Sequence, residues 1–373
     1  MKVLSLSLTH FRNFSSEQLS FGERFNIFVG KNAQGKTNIL EALFLFATGS
    51  SFRTSEFRNL IQWQEPRSFL EAEVDRPEGK DVWSCSLTAK EKQIHKNGKA
   101  LSSRFKRGLD VVLFSPEEIL LLRDLPSARR AYIDHFVSRF LPQHRPLVRN
   151  YEKILSHRNA ILKDDLLRDE EKLTRLKDWN RQLLVQGTQI ILIRASAVDE
   201  LNLELQRQYA SIVRKDEEAA FVYMPFCGKI AFIKGEIESR FEEHLDRRAR
   251  DELIRRISLV GPQRDDFIAS LSGNAIAHFG SQGEHRSFIL AMKVAELELT
   301  SKKEGAQPLF LLDDVASELD EARNASFFEY LQQSQGQIFI TTTDIHQIRF
   351  SSHDHIKLFN VSAGKVKSLL FPL

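Results

Sequence analysis

The sequence predicts an α/β fold interrupted by a helical lobe, and three observations carry that prediction. Apolar runs of strand length, such as "FNIF" and "PLFLLDD", lie towards both ends of the 373-residue chain. Runs so uniformly apolar belong to strands covered on both faces. Between residues 116 and 257 the pattern turns charged and helically periodic, and from residue 258 the mixed pattern returns. The expected organisation is a discontinuous first lobe, 1–115 with 258–373, split by a helical second lobe at 116–257.

The elements follow in order. "VLSLSL" and "RFNIFVG" read as strands, and "KNGKAL" (96–101) carries the Asn-Gly of a tight hairpin turn. "LDVVLF" (109–114) is a further short apolar run. At Ser115 the reading switches to helix: a serine cap, Pro116 at the first helical position and Glu118 three residues on. "YEKILSHRNAILKDDLL" places Ile154, Leu155, Ile161, Leu162 and Leu166 at helical spacing. A second long helix follows, with a loosening expected near Gly187, where propensity is poor. Beyond 258, "RDDFIASL" and "AIAHFG" read as strands, "EHRSFILAMKVAELELT" as a helix, and "PLFLLDD" as a buried strand. "EARNASFFEYLQQ" then reads as a helix and "QIFITTT" as a strand.

Composition excludes several classes. No segment approaches the roughly 20 apolar residues needed to span a bilayer, so no membrane role is expected. "MKVLSLSLTHFRNF" lacks the apolar block of a signal peptide. The two cysteines, Cys85 and Cys227, lie far apart with no ligand-like spacing to histidine, which argues against a disulfide scaffold or a zinc site. A reducing cytoplasm is the expected compartment. The net charge of +3 names no partner, whereas the clustering of arginine in mid-chain does more.

Chemistry concentrates first at 30–37, "GKNAQGKT", a G-x-x-x-x-G-K-[ST] phosphate loop between an apolar strand and an apolar-periodic helix. Gly30 and Gly35 permit backbone geometry in which successive amides turn inward. Lys31, Asn32, Ala33 and Gln34 supply the amides between them. The loop leads into a helix amino terminus, whose positive end favours an anion. Lys36 supplies a compact charge for the β and γ phosphates, and Thr37 offers a hydroxyl to Mg²⁺, so ATP with magnesium is the expected ligand. "PLFLLDD" (308–314) is an apolar strand ending in two aspartates. Asp313 is expected at the metal and Asp314 at the attacking water.

Between these two elements, Ser281, Gln282, Gly283 and Glu284 open a helix. Ser281 and Glu284 have capping-box spacing, and a serine hydroxyl with glycine amides at a helix start also suits a γ-phosphate. "SELD" (317–320) and "IFITTTD" (338–344) follow the paired aspartates, where a dimer-axis loop and a γ-phosphate-sensing strand are expected. Arg129, Arg130, Arg139, Arg145 and Arg149, with Arg247, Arg248, Arg250, Arg255 and Arg256, are candidates for lining a channel for duplex DNA phosphates.

The ordered set resembles the ABC-type ATPase heads of SMC proteins and their DNA-repair relatives. More closely, "LTHFRNF", "GKNAQGKTNILEA", "FSPEE", "LPSARRAYID", "GPQRDDF", "SQGEHRS", "LFLLDDVASELD" and "FITTTD" resemble the bacterial RecF family along the whole chain. The resemblance implies an ABC-type head with the helical block as its second lobe. It implies a head-to-head homodimer formed with ATP, in which one subunit's Ser281 segment closes on the ATP of the other. It places Arg12 and Asn13 at the nucleotide. It also implies binding to double-stranded DNA and to single-strand/double-strand junctions, where the family acts with RecR and RecO to help load RecA onto gapped DNA.

Departures from the wider ABC pattern imply slow hydrolysis. Gln282 and Glu284 stand where transporters carry glycine and glutamine, Asp314 is one methylene shorter than the usual glutamate, and Thr341, Thr342 and Thr343 replace the common switch histidine, with His346 close behind. No residue is assigned to the Q-loop glutamine; Gln62 and Gln64 precede its expected region. Two rival readings stay open at this stage: a transporter ATPase subunit, disfavoured by the helical insertion, and a DNA-binding scaffold clasped by unhydrolysed ATP.

Overall fold

A computed structural model describes residues 1–101, 108–123, 125–213, 217–305, 307–350 and 355–369. In chain order it begins with β1 (Lys2–Phe11), β2 (Phe14–Ser20), β3 (Phe25–Val29), α1 (Lys36–Thr48), β4 (Arg67–Arg76), β5 (Gly79–Thr88), β6 (Lys92–Lys96), β7 (Lys99–Ala100) and β8 (Val111–Phe114). Then come α2 (Leu120–Arg123), α3 (Pro126–Phe140), α4 (His144–Lys163), α5 (Asp169–Val213), β9 (Ala219–Met224), α6 (Lys234–Arg255), β10 (Asp266–Leu271), β11 (Asn274–Ala275) and α7 (Ile276–Phe279). The chain ends with α8 (Gln282–Glu304), β12 (Leu309–Leu312), α9 (Glu321–Gln333), β13 (Ile338–Thr342), β14 (Ile356–Ser362) and β15 (Lys365–Leu369). Contacts group residues 1–119, 208–215 and 282–373 into one compact unit, and 120–207 with 216–281 into a second. The sequence reading divides the chain at 115/116 and 257/258 instead.

The first unit holds two six-stranded sheets, β2-β1-β4-β5-β6-β7 and β15-β14-β3-β13-β12-β8. The former is antiparallel, and the Asn-Gly turn joining β6 to β7 has both residues at positive φ, Asn97 at 51° and Gly98 at 74°. Such a turn matches the twist of its strands. In the second sheet β14, β3, β13, β12 and β8 run parallel. This accounts for the unbroken apolar character of "FNIFV" and "LFLL". Helix α1 is apolar around most of its circumference because Ile39, Leu40, Leu43 and Phe46, none exposed, join one core with β1, β4 and β5 of the first sheet and with Phe28, Leu311 and Phe339 of the second. Among the described residues no helix is long and apolar enough to cross a membrane.

The second unit combines α3, α4, most of α5 and α6 with a three-stranded sheet, β11-β10-β9. Within its apolar core lies a buried ionic network. Arg194 Nε and Nη2 donate to the two Asp134 oxygens at 2.9 and 2.7 Å, and Nη1 donates to Asp265 Oδ2 at 3.0 Å. Burial pushes the Asp265 carboxyl up to about 6, against the pull of Arg194 and the Tyr223 hydroxyl. Buried charges of this kind persist only where opposite charge and hydrogen bonds meet them. The "LPSARRAYID" and "GPQRDDF" motifs therefore converge on one network.

Several elements differ from expectation, among them the strand β9 inside the stretch expected to be helical. "AIAHFG", read as a strand, contributes only Ala275 to β11 before turning into α7. Helix α5 runs unbroken through Gly187, whose missing side chain admits Phe241; a Cβ there would meet its Cε2 at 2.6 Å. The helix expected from Ser115 starts as a 3-10 turn, Pro116–Ile119, before α2.

Candidate functional site

The loop 30–37 lies between the end of β3 and the start of α1, at the carboxyl edge of the parallel strands where α/β sheets bind ligands. Both glycines are sterically required. A Cβ on Gly30 would fall 2.2 Å from the Val361 carbonyl oxygen. Gly35 has φ 115°, and a Cβ there would meet the Asn13 amide at 2.7 Å. That amide braces the loop: Asn13 Nδ2 donates to the Gln34 carbonyl at 2.8 Å, and Asn38 Nδ2 donates to Asn13 Oδ1 at 2.8 Å.

Lys36 folds back over its own loop. Its Nζ donates to the carbonyl oxygens of Gly30 and Lys31, at 2.7 and 2.9 Å. Burial holds its pKa below the usual lysine range, partly offset by Asp314 and Asp313. Uncharged carbonyls are weak compensation for a buried ammonium, and anionic phosphate oxygens would serve it better.

The paired aspartates meet the loop from the far end of the sequence. Thr37 Oγ1 lies 2.8 and 3.0 Å from the Asp313 oxygens, donating to them, and Thr341 Oγ1 donates to Asp313 Oδ1 at 2.6 Å. The Asp314 amide donates in turn to Thr341 Oγ1 at 2.9 Å. Burial raises the pKa of Asp313, and the Thr341 and Thr37 hydroxyls counter only part of that. A buried carboxylate met by hydroxyls alone fits a divalent cation. Thr37 and Asp313 offer hard oxygen donors of the kind magnesium takes alongside phosphate and water.

Asp314 differs from its neighbour. It sits in the left-handed region, φ 48° and ψ 33°, which aspartate and asparagine adopt more readily than other residues with a side chain. Its Oδ1 is buried without a hydrogen-bond partner. A buried carboxylate oxygen with no partner in the fold is free to meet a ligand.

These residues line a cleft of about 560 Å³ formed by Arg12, Asn13, Asn32, Ala33, Gly35, Lys36, Thr37, Asn38, Asp313, Asp314 and Thr341, with Arg53, Asn59, Ile61 and Pro116. Arg12, at φ 54°, is clamped on buried Glu41 through Nε at 2.7 Å and Nη2 at 2.5 Å, and donates through Nη1 to the Asn59 carbonyl at 2.6 Å. Arg53, Asn59 and Ile61 of the segment 51–64 thus form one part of the cleft wall. The segment's place is not legible in the sequence, because it depends on pairing with the end of β1, where Arg12 N donates to Leu60 O at 2.8 Å. No periodicity announces such a contact.

Residues 281–284 are not among those lining the cleft. Ser281 and Gln282 are exposed at the start of α8. Arg323 Nη1 donates to the Gly283 carbonyl at 3.0 Å and its Nε pairs with Asp320 at 3.2 Å, which ties "SQGE" to the end of "SELD".

The arginines divide into two kinds. Arg129 forms a two-point pair with Asp266, at 2.7 and 2.9 Å, and its side chain is only 12% exposed. Arg130 is partly buried, donating to the Asp265 carbonyl at 2.7 Å. Arg139 is half-buried on α3. On α6, by contrast, Arg247, Arg248 and Arg250 are exposed, with Arg248 paired to Asp251 and Arg247 donating to His244.

The chain matches the RecF/RecN/SMC N terminal domain family over residues 2–367. It is 36% identical to the DNA replication and repair protein RecF of Geotalea daltonii, covering 98% of this chain and 100% of that one. The same protein of Geobacter sulfurreducens is 34% identical, with 98% and 99% covered. A solved structure of the recombination mediator RecF with ATP, of the RecFOR pathway, superposes with a TM-score of 0.85 at 28% identity, covering 99% of each chain. An Smc head bound to the C-winged helix domain of ScpA shares the fold, with a TM-score of 0.58 at 16% identity over 99% of this chain and 98% of that one.

Proposed function

This chain belongs to the RecF branch of the RecF/RecN/SMC family, and from that premise we propose that it is an ATP-operated DNA clamp of replication and recombinational repair. One observation carries the reading: Thr37 and Asp313, far apart in sequence, meet at 2.8 Å beside a buried lysine whose hydrogen bonds go to carbonyl oxygens of its own loop. ATP lies on 30–37, its γ-phosphate displacing the carbonyls from Lys36. Magnesium, held by Thr37 and Asp313, would screen the phosphate charge, while Asp314 orients the attacking water. Asn13 braces the loop from the side, and Arg12 and Asn13, both on the cleft wall, meet the nucleotide.

A second copy of the chain presents Ser281, Gln282, Gly283 and Glu284 to the same nucleotide, since one chain's cleft lacks them. Closure brings together two basic surfaces, neither of which binds DNA firmly alone. Because Arg129 and Arg130 are engaged inside the second unit, first contact with duplex phosphates falls to Arg247, Arg248 and Arg250, with Arg139 beside Arg129 and Arg130 as secondary candidates. The protein works in the cytoplasm on double-stranded DNA and single-strand/double-strand junctions, with RecR and RecO, and aids RecA loading at gaps. Hydrolysis is slow, because the shorter Asp314 reaches less far than glutamate.

The test is DNA affinity at several salt concentrations, with and without Mg-ATP. Binding should tighten with ATP and fall steeply with salt, with a log–log slope of about 0.9 per phosphate contact. Exchanging Arg247, Arg248 and Arg250 together for glutamine should flatten that slope by about 3. DNA affinity indifferent to ATP would overturn the clamp.

A further inference from the structure

In the second unit, beside the start of α6, four aromatic rings form one offset stack. Phe221 and Phe267 lie 5.6 Å apart between centroids at an interplanar angle of 5°, Phe267 and Tyr223 at 4.8 Å and 12°, and Tyr223 and Phe232 at 5.5 Å and 7°. The strand register places the first three, since Tyr223 on β9 pairs with Phe267 on β10 and Phe221 lies two residues along the same face. Phe221 and Phe267 are wholly buried, and Tyr223 is held from its far end, its hydroxyl donating to buried Asp265. Phe232 is the outermost ring and is 37% exposed. Among the described residues no further ring stacks on it, so the series ends in an open aromatic face.

The segment that carries Phe232 leaves apolar surface in water. Ala231, Phe232 and Ile233 are all exposed, Ile233 by 65%, and they lie between the exposed Lys229 and Lys234. Three consecutive exposed apolar residues are disfavoured unless a partner covers them. The neighbouring charge selects that partner. Lys229 forms no ion pair among the described residues, and Lys234 has a loose one to Glu238 at 3.8 Å. Glu236, the acidic residue in the first turn of α6, is turned onto the Ala231 amide at 3.3 Å. An open ring between two cations suits a nucleobase and its flanking phosphates, whereas an apolar protein pocket would leave the lysines unmatched.

We propose that Phe232 is a stacking platform for an unpaired DNA base, with Lys229 and Lys234 holding the phosphates on either side of that base. This role rests on the reading of the chain as a DNA clamp and adds what the α6 arginines cannot supply. Phosphate contacts position the DNA; only a group that meets the face of a base reports that the base is unpaired. Between Lys234 and Arg247, α6 rises roughly 20 Å, about six base-pair steps of duplex. One helix therefore reaches from duplex backbone at Arg247 to a base beyond the duplex end at Phe232. Buried rings fix the platform before DNA arrives, and the base becomes the fifth member of the stack. Stacking of this kind accepts any of the four bases, so the platform distinguishes DNA structure and not sequence.

The test titrates the full chain, with Mg-ATP, against a relaxed duplex minicircle, intact or carrying a single-stranded gap with 2-aminopurine as its first unpaired base. Wild-type protein should quench the 2-aminopurine as the base stacks. Phe232→Leu keeps an apolar side chain over Tyr223 and removes the ring. It should weaken the gapped circle about tenfold, the scale of one lost base stack, leave the intact circle within twofold and abolish the quenching. Phe232→Trp should restore both affinity and quenching. Gapped and intact circles weakened equally by Phe232→Leu would overturn the inference. So would a leucine variant that binds and quenches like wild type, which would give the apolar run to a protein partner. Wild-type protein that binds neither circle would instead overturn the clamp reading on which the platform depends.

Discussion

Lys36→Ala is expected to weaken Mg-ATP binding about a hundredfold. The lysine is 7% exposed and donates to two carbonyl oxygens of its own loop. Each hydrogen bond from a charged group is worth roughly 1.5–3 kcal/mol, and about 3 kcal/mol for two corresponds to two powers of ten. The alanine variant should fold, because removing a buried charge relieves desolvation and α1 keeps Ile39, Leu40, Leu43 and Phe46 in the core. Equilibrium dialysis with labelled ATP reads the loss directly. A folded variant that binds within threefold of wild type would show that the phosphates do not lie on this loop.

Asp314→Asn should leave ATP affinity unchanged and slow hydrolysis by about 10²–10⁴-fold, the usual contribution of a positioned acid or base. The exchange keeps the shape of the side chain and removes only its charge and basicity. The left-handed backbone at 314 is one that asparagine adopts readily, and the amide bond to Thr341 does not involve the side chain. Single-turnover hydrolysis measured beside nucleotide binding separates the two effects. Hydrolysis that persists within a few-fold would remove Asp314 from the chemistry and favour a scaffold in which ATP acts as a clasp.

The sequence showed most plainly what depends on residue identity at short range. Gly30, Gly35, Lys36 and Thr37 are legible because few other residues satisfy the steric and charge demands of the loop. "PLFLLDD" is legible because a doubly covered strand must be apolar until its carboxyl end. What stayed hidden depends on partners remote in sequence. "AAFVYM" reads poorly as a strand within a helical stretch, since its pairing with β10 joins Phe221 to Ala269 and Tyr223 to Phe267. Arg129 reads as a surface cation until Asp266 is found against it. The wall formed by Arg53, Asn59 and Ile61 has neither period nor motif, and contacts with the end of β1, Arg12 N to Leu60 O and Gln62 N to His10 O among them, bring it to the cleft.

The claim beneath all of this is that each nucleotide is enclosed by two copies of the chain, and sedimentation velocity with and without Mg-ATP addresses it most directly. Wild-type protein should sediment as a monomer alone and as a dimer with ATP, while Ser281→Arg, still able to bind ATP, should stay monomeric. A monomer at saturating ATP, or a dimer that ignores both the nucleotide and the Ser281 change, would contradict it.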